Sequence, residues 1–152
     1  MMNLNISVSE TLKEVYAASA LRCYVSANKS EKPVMLTPDR RGALRLLVRD
    51  AFCYVVVSML PNVVTTSTGT EENDEILSVS LDLPCEEGAG ALIGSLLQMA
   101  ITAYVLHIVY VGSDEEFSRE WNAKVERYIA KVNEYAAGVR LKNVGRIVGR
   151  EY

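Results

Sequence analysis

One histidine, one tryptophan, two phenylalanines and three cysteines occur among 152 residues. A single histidine (His107) and scattered cysteines give no support to Ser-His-Asp or Cys-His nucleophile schemes, or to a zinc hydrolase. Cys23, Cys53 and Cys85 are odd in number and contain no C-x-x-C, which excludes a disulfide framework and a zinc knuckle and fits a reduced intracellular compartment. Phosphate-cradling G-x-x-x-x-G-K-[ST] and G-x-G-x-x-G are missing, as is the calcium pattern D-x-[DN]-x-[DN]-G. The start, Met1 to Ile6, has neither a charged nor an apolar signal region, so no secretory leader is expected. Charge is nearly balanced, 19 acids against 16 bases for a net −3, which argues against a generally cationic nucleic-acid binder while leaving room for local patches. There is no internal repeat and no low-complexity tract. Accordingly no catalytic, cofactor-binding or metal-ligating set can be named, and the expectation is no enzyme, no cofactor and no metal.

What is present is apolar substance: 49% of the chain is hydrophobic. A chain this long buries roughly two-thirds of its unfolded surface and needs no disulfide or metal to fold. From Gly88 to Ser113 run 26 residues without a formal charge, long enough to cross a bilayer. Both flanks are acidic (Glu86, Glu87; Asp114, Glu115, Glu116), and Ser95, Gln98, Thr102, Tyr104, His107 and Tyr110 interrupt the run. The expectation is a central buried helix and no membrane. Close helix packing is the expected reason for Gly90 and Gly94.

Local signals divide the chain into about four helices. Ser7-x-x-Glu10 has capping-box spacing and opens a first helix whose inner residues are Leu12, Val15, Tyr16 and Ser19. A polar loop to Pro33 and Leu36 follows. Thr37-Pro38-Asp39 supplies an N-cap, a proline at the first position and an acid in the first turn of a second helix. Its stripe is Leu44, Leu47, Val48, Ala51, Val55 and Met59, with Pro61 as the stop. The period then falls to two. Val/Thr-rich 62–68 and the alternating 76–83 form a β-hairpin at about 62–83, around a flexible acidic tip from Gly69 to Glu75. Pro84 closes it, and the third helix occupies roughly 86–111. Gly112 separates this from a fourth helix opened by a second capping box, Ser113-Asp114-Glu115-Glu116. That helix carries Phe117, Trp121, Val125, Tyr128, Val132 and Tyr135 inward and ends at Gly138. Residues 1–137 form one mainly α domain; 138–152 read as an extended basic arm.

Three charged features stand out. Arg41, Arg45 and Arg49 recur at i, i+4, i+8 and form one stripe beside Arg40, with only Asp39 and Asp50 as acids in the same helix. Guanidinium forks suit carboxylates or phosphates. Glu71, Glu72, Asp74 and Glu75 mark the hairpin tip, and Arg140, Lys142 and Arg146 mark the arm. The arginine stripe and the acidic tip each have a plain alternative as solvated charge, and His107 as a core or interface imidazole with a satisfied hydrogen bond. Read together, an exposed hairpin edge, an arm and separate basic and acidic surfaces suit a homo-oligomer built by contacts between unlike surfaces. The alternative is a small intracellular ligand-binding or regulatory helical bundle, with a pocket near His107, Gln98 and Tyr104.

The stretch from Tyr104 through Gly112 and Ser113-Asp114-Glu115-Glu116-Phe117 to Trp121, Lys124, Val125, Tyr128 and Tyr135, with the Thr37-Pro38-Asp39 helix and the hairpin, resembles helical head–tail connector or adaptor subunits of tailed phages and prophages. The resemblance implies a non-enzymatic structural subunit in the virion or the host-cell cytoplasm. It implies a ring around a DNA channel, other virion structural proteins as neighbours, and possible contact with DNA.

Overall fold

The computed structural model describes residues 1–26, 34–59, 62–83 and 88–148, with side chains as far as Gly138. Its elements are β1 (Met2–Ser7), α1 (Val8–Val25), a 3-10 turn (Pro38–Arg40), α2 (Arg41–Val57), β2 (Val63–Glu71), β3 (Asp74–Leu81), α3 (Ala89–Tyr110) and α4 (Glu115–Val148). The fold is mainly α, with four helices and one antiparallel sheet ordered β1-β3-β2.

The hairpin is therefore two-thirds of a sheet. Its third strand, β1, had no counterpart in the sequence reading, although Met2, Leu4 and Ile6 alternate with Asn3 and Asn5. The three apolar side chains are buried, and the strand pairs with β3 from Met2 opposite Leu81 to Ser7 opposite Ile76. Leu77, Val79 and Leu81 of β3 are buried on the same side, as their alternation predicted. Opposite them the sheet is polar: Ser78 and Ser80 hydroxyls donate to Asn5 and Asn3 side chains at 2.8 and 2.7 Å. Two strands alone are marginal in water. β1 and the helices supply the support.

α3 is the centre of the core, packed by α1, α2, α4 and β1. Ile93, Leu97, Ala100, Ile101, Ala103, Val105, Leu106 and Tyr110 are buried. Among the described residues it is the one helix long and apolar enough to cross a membrane. One side of it is buried against these four elements, while Leu92, Met99 and Ile108 are left exposed. Close packing does not account for its glycines. A methyl added at Gly94 would meet nothing nearer than Leu4 at 3.9 Å, and one at Gly90 would meet nothing within 4 Å.

α1 and α2 present the expected inner faces, with Phe52 and Val56 added to the second. Ser7 caps α1 by accepting from the Glu10 amide at 3.2 Å. Three other boundaries move. Thr37-Pro38-Asp39 opens a single 3-10 turn before the α-helix begins at Arg41. The cap of α4 is Asp114, one residue later than the Ser-x-x-Glu spacing suggested. Its carboxylate accepts from the Phe117 amide at 3.3 Å, while Glu115 reaches back to the Gly112 amide at 2.8 Å. Gly112, at φ 86°, adopts the left-handed conformation that turns the chain between α3 and α4.

The fourth helix does not stop at Gly138. Helical backbone continues to Val148, so 139–148 extend α4 where an extended arm was expected. A glycine inside a helix costs only about 1 kcal/mol relative to alanine, and Arg140, Leu141 and Lys142 are good helix formers, so the two glycines of this stretch, Gly138 and Gly145, are outweighed. The side chains of Arg140, Lys142 and Arg146 lie outside the described residues, as do Pro33, Pro61, Pro84 and Cys85.

Candidate functional site: an arginine trough between α2 and the hairpin

Helical spacing places Arg41, Arg45 and Arg49 on one face of α2, and that face looks toward the end of the hairpin. The tip is tighter than expected. Glu71 pairs with Asp74, and Glu72 and Asn73 form a two-residue turn at φ 47° and 63°. Both signs are positive, as a type I′ hairpin requires, and asparagine tolerates that region. Only Glu72 and Asn73 lie beyond the ladder.

Because successive strand residues point to opposite faces, Asp74 and Glu75 leave β3 in different directions. Asp74 turns to the start of α1, where its carboxylate accepts from the Ser9 amide at 3.0 Å and from the Ser7 hydroxyl. A negative group at a helix N-terminus satisfies free amides and faces the positive end of the dipole. Burial pushes the Asp74 carboxyl up, but the hydrogen bonds from Ser7 and Ser9 outweigh it and hold the group below its ordinary value. Glu75 turns to α2. It pairs with Arg49 through both Nε and Nη2, and its other oxygen lies 3.6 Å from Nε of Arg45. Arg41 donates to the Ser9 hydroxyl at 3.0 Å.

The basic stripe and the acidic tip, read from sequence as separate surfaces, thus meet within one chain. Asp74 and Glu75 are joints of the fold. Glu71 and Glu72 remain exposed. Between α2 and the hairpin lies a trough of about 330 Å³, lined by the three arginines, Glu75, Thr68, Gly69, Thr70, Asn73 and Val8. A second groove of about 360 Å³ continues along α2 past Arg49 and Thr68 to Phe52, Cys53 and Thr66. Thr66, Thr68 and Thr70 stand on the same face as Val79, Leu77 and Glu75 by register, yet all three are exposed. No helix covers this part of β2 among the described residues. Sequence reasoning missed these threonines, though their alternation was the signal that placed them.

His107 is a helix-to-helix bridge. Its Nδ1 lies 3.1 Å from the Ser118 carbonyl and 2.9 Å from the Ser118 hydroxyl, which itself donates to the His107 carbonyl at 2.8 Å. A carbonyl can only accept, so the proton sits on Nδ1. Gln98 turns to Glu14 at 3.3 Å, and Tyr104 stacks on Tyr54 with centroids 4.5 Å apart. Of the three residues expected to share a pocket, Tyr104 and His107 meet edge to face with ring centroids 6.3 Å apart, while Gln98 turns away to α1.

A further polar cluster ties α1, α3 and α4 together. Tyr110, fully buried, donates to the Val34 carbonyl at 2.8 Å, and Ser19 lies 2.7 Å from the same hydroxyl while accepting from the Leu36 amide at 2.8 Å. Since the phenol proton is already given to Val34, Ser19 is the donor to Tyr110. Arg22 forks onto Asp114 at 2.8 and 3.1 Å and stands over the Phe117 ring at 5.0 Å. The Asp114 hydrogen bond and charge raise the Arg22 pKa further, and burial raises that of Tyr110.

Comparison with known proteins matches no family model, no curated protein and no solved structure.

Proposed function

We propose that the chain is a non-enzymatic structural subunit that assembles into a homo-oligomeric ring, as in the head–tail connectors it resembles in sequence pattern. One observation carries this reading: the sheet has two open edges among the described residues. β1 and β2 flank β3, and neither contains lysine, arginine or proline. Natural edge strands are normally blocked by such residues, by covering elements or by short length. β2 spans nine residues and is exposed along nearly all of them. An edge of one copy laid on the opposite edge of the next is a contact between unlike surfaces, and repeating it with rotation closes a ring. The exposed apolar side chains of Leu92 and Met99 add surface for a neighbour. In this setting the subunit works in the virion or host-cell cytoplasm, away from membranes, with other virion structural proteins above and below and DNA in the channel.

Arg45 and Arg49 already hold Glu75, so reversing their charge would disturb the hairpin itself. The edge is the cleaner target. Sedimentation velocity should give a mass that is a multiple of 16.8 kDa. That mass should persist at high salt, because strand pairing is not screened as exposed ion pairs are. Thr66→Lys with Thr68→Lys should return the protein to single subunits with unchanged circular dichroism. A wild-type monomer at every concentration would overturn the reading.

A further inference from the structure

We propose that the arginine trough is a binding site for one dianionic oxyanion of phosphate size, a phosphate monoester group, held chiefly by Arg41 and Arg45. The charge count points there. Three guanidiniums and a single carboxylate, Glu75, line the trough, since the neighbouring Asp74 turns away to Ser7 and Ser9. The residues that line the trough therefore carry two positive charges in excess, three against one, while Asp74 keeps its own negative charge just outside the lining, at the start of α1. The donor count agrees. A guanidinium offers five N–H groups in a planar fork. Arg49 spends two on Glu75, and Arg45 approaches the same carboxylate at 3.6 Å with Nε. Arg41 meets the neutral Ser9 hydroxyl, and no carboxylate faces it among the described residues.

The wall opposite the arginines is uncharged and rich in hydrogen-bonding groups: Thr68, Thr70 and Asn73. A volume of about 330 Å³ lies within the range of small-ligand sites, about 300–1,000 Å³. Planar forks bind phosphate through paired hydrogen bonds, which a lone surface charge cannot do. Glu75 sits at the edge of this donor set as a resident competitor that keeps Arg45 and Arg49 oriented toward the trough. A nucleic-acid backbone, by contrast, presents singly charged diesters spread along a strand and requires several separate contacts. The trough offers one compact locus.

The test titrates the full chain with inorganic phosphate and with phenyl phosphate, against sodium chloride at matched ionic strength, following 31P line width and thermal midpoint. Both phosphates should raise the midpoint by ~2 °C or more at 10 mM, with no response to chloride. Arg41→Gln, on an exposed residue outside the core, should weaken phosphate binding ~10-fold or more. Glu75→Gln should tighten it, since removing the competing negative charge loosens the Arg49 fork and leaves Arg45 without a carboxylate beside it. The same response to phosphate and chloride, or the same affinity in wild type and Arg41→Gln, would overturn the proposal. So would retention of a 20-base-pair duplex without any response to the small phosphates. None of these readouts depends on oligomeric mass, so this site and the assembly reading stand or fall separately.

Discussion

Two sides of the molecule handle polar groups in opposite ways. At the corner where α1, α3 and α4 meet, Ser19 and Tyr110 are fully buried, and Arg22 and Asp114 are 13% and 15% exposed at the side chain. Each has defined partners there. On the side where α2 meets the hairpin, Arg45 and Arg49 remain 49% and 45% exposed and share one carboxylate, while Arg41 meets only a hydroxyl. Burial makes the difference. A polar group cut off from water must be satisfied or it costs ~1–3 kcal/mol, so the corner admits one geometry. Half-exposed guanidiniums have water as a second partner and are free to take another. The corner holds the fold; the open side is where a ligand or neighbour can act.

The sharpest way to break the contrast is Asp114→Ala. It removes the cap of α4 and the charged partner of Arg22 together, and should lower stability by about 2–4 kcal/mol in urea unfolding. Tyr110→Phe keeps the ring against Phe117 but leaves Ser19 without an acceptor and Val34 without its donor. The expected loss is about 1–3 kcal/mol, read as a shift of the denaturant midpoint without change of slope. Acid titration probes the hinge between the two sides. Asp74 has a lowered folded pKa, so its contribution is complete above its unfolded value of about 3.8 and disappears as pH falls through the folded value. Asp74→Asn should flatten the stability profile below about pH 4. Gly94→Ala acts in the opposite sense. With 3.9 Å of room it should stabilise by about 0.5–1 kcal/mol. Smallest is Glu75→Gln, expected to cost about 0.2–1 kcal/mol: Glu75 is itself 13% exposed, but glutamine keeps its shape and an acceptor oxygen, and its partners are half in water. A loss as large as that of Asp114→Ala would erase the distinction between the sides.

Much of the corner and the core was legible in the sequence because local chemistry and tertiary structure agree there. The stripes of α2 and α4, the Ser7 cap, the leucine–valine face of β3 and the burial of α3 all follow from spacing alone. The start of α4 was legible to within one residue. β1 was not legible, since six alternating residues gain meaning only through pairing with a strand that lies 69 to 79 positions away, from Ser7 opposite Ile76 to Met2 opposite Leu81. Helix continuation past Gly138 and Gly145 reflects the balance between two glycines and several formers, which a rule about glycine misjudges. Of the candidate site, the arginine stripe was visible and its partner was not. Strand alternation could have shown that Asp74 and Glu75 diverge, but nothing local says that one would find α1 and the other α2.

That divergence limits how the chain can change length. Inserting or deleting a single residue between Glu75 and Leu77 would flip both acids to the wrong face, releasing two helices at once. An insertion between Glu71 and Asp74 would leave them where they are. Length variation among descendants of this sequence is therefore channelled into the turn at Glu72 and Asn73, the place where a new contact could be tried without unfastening the old ones.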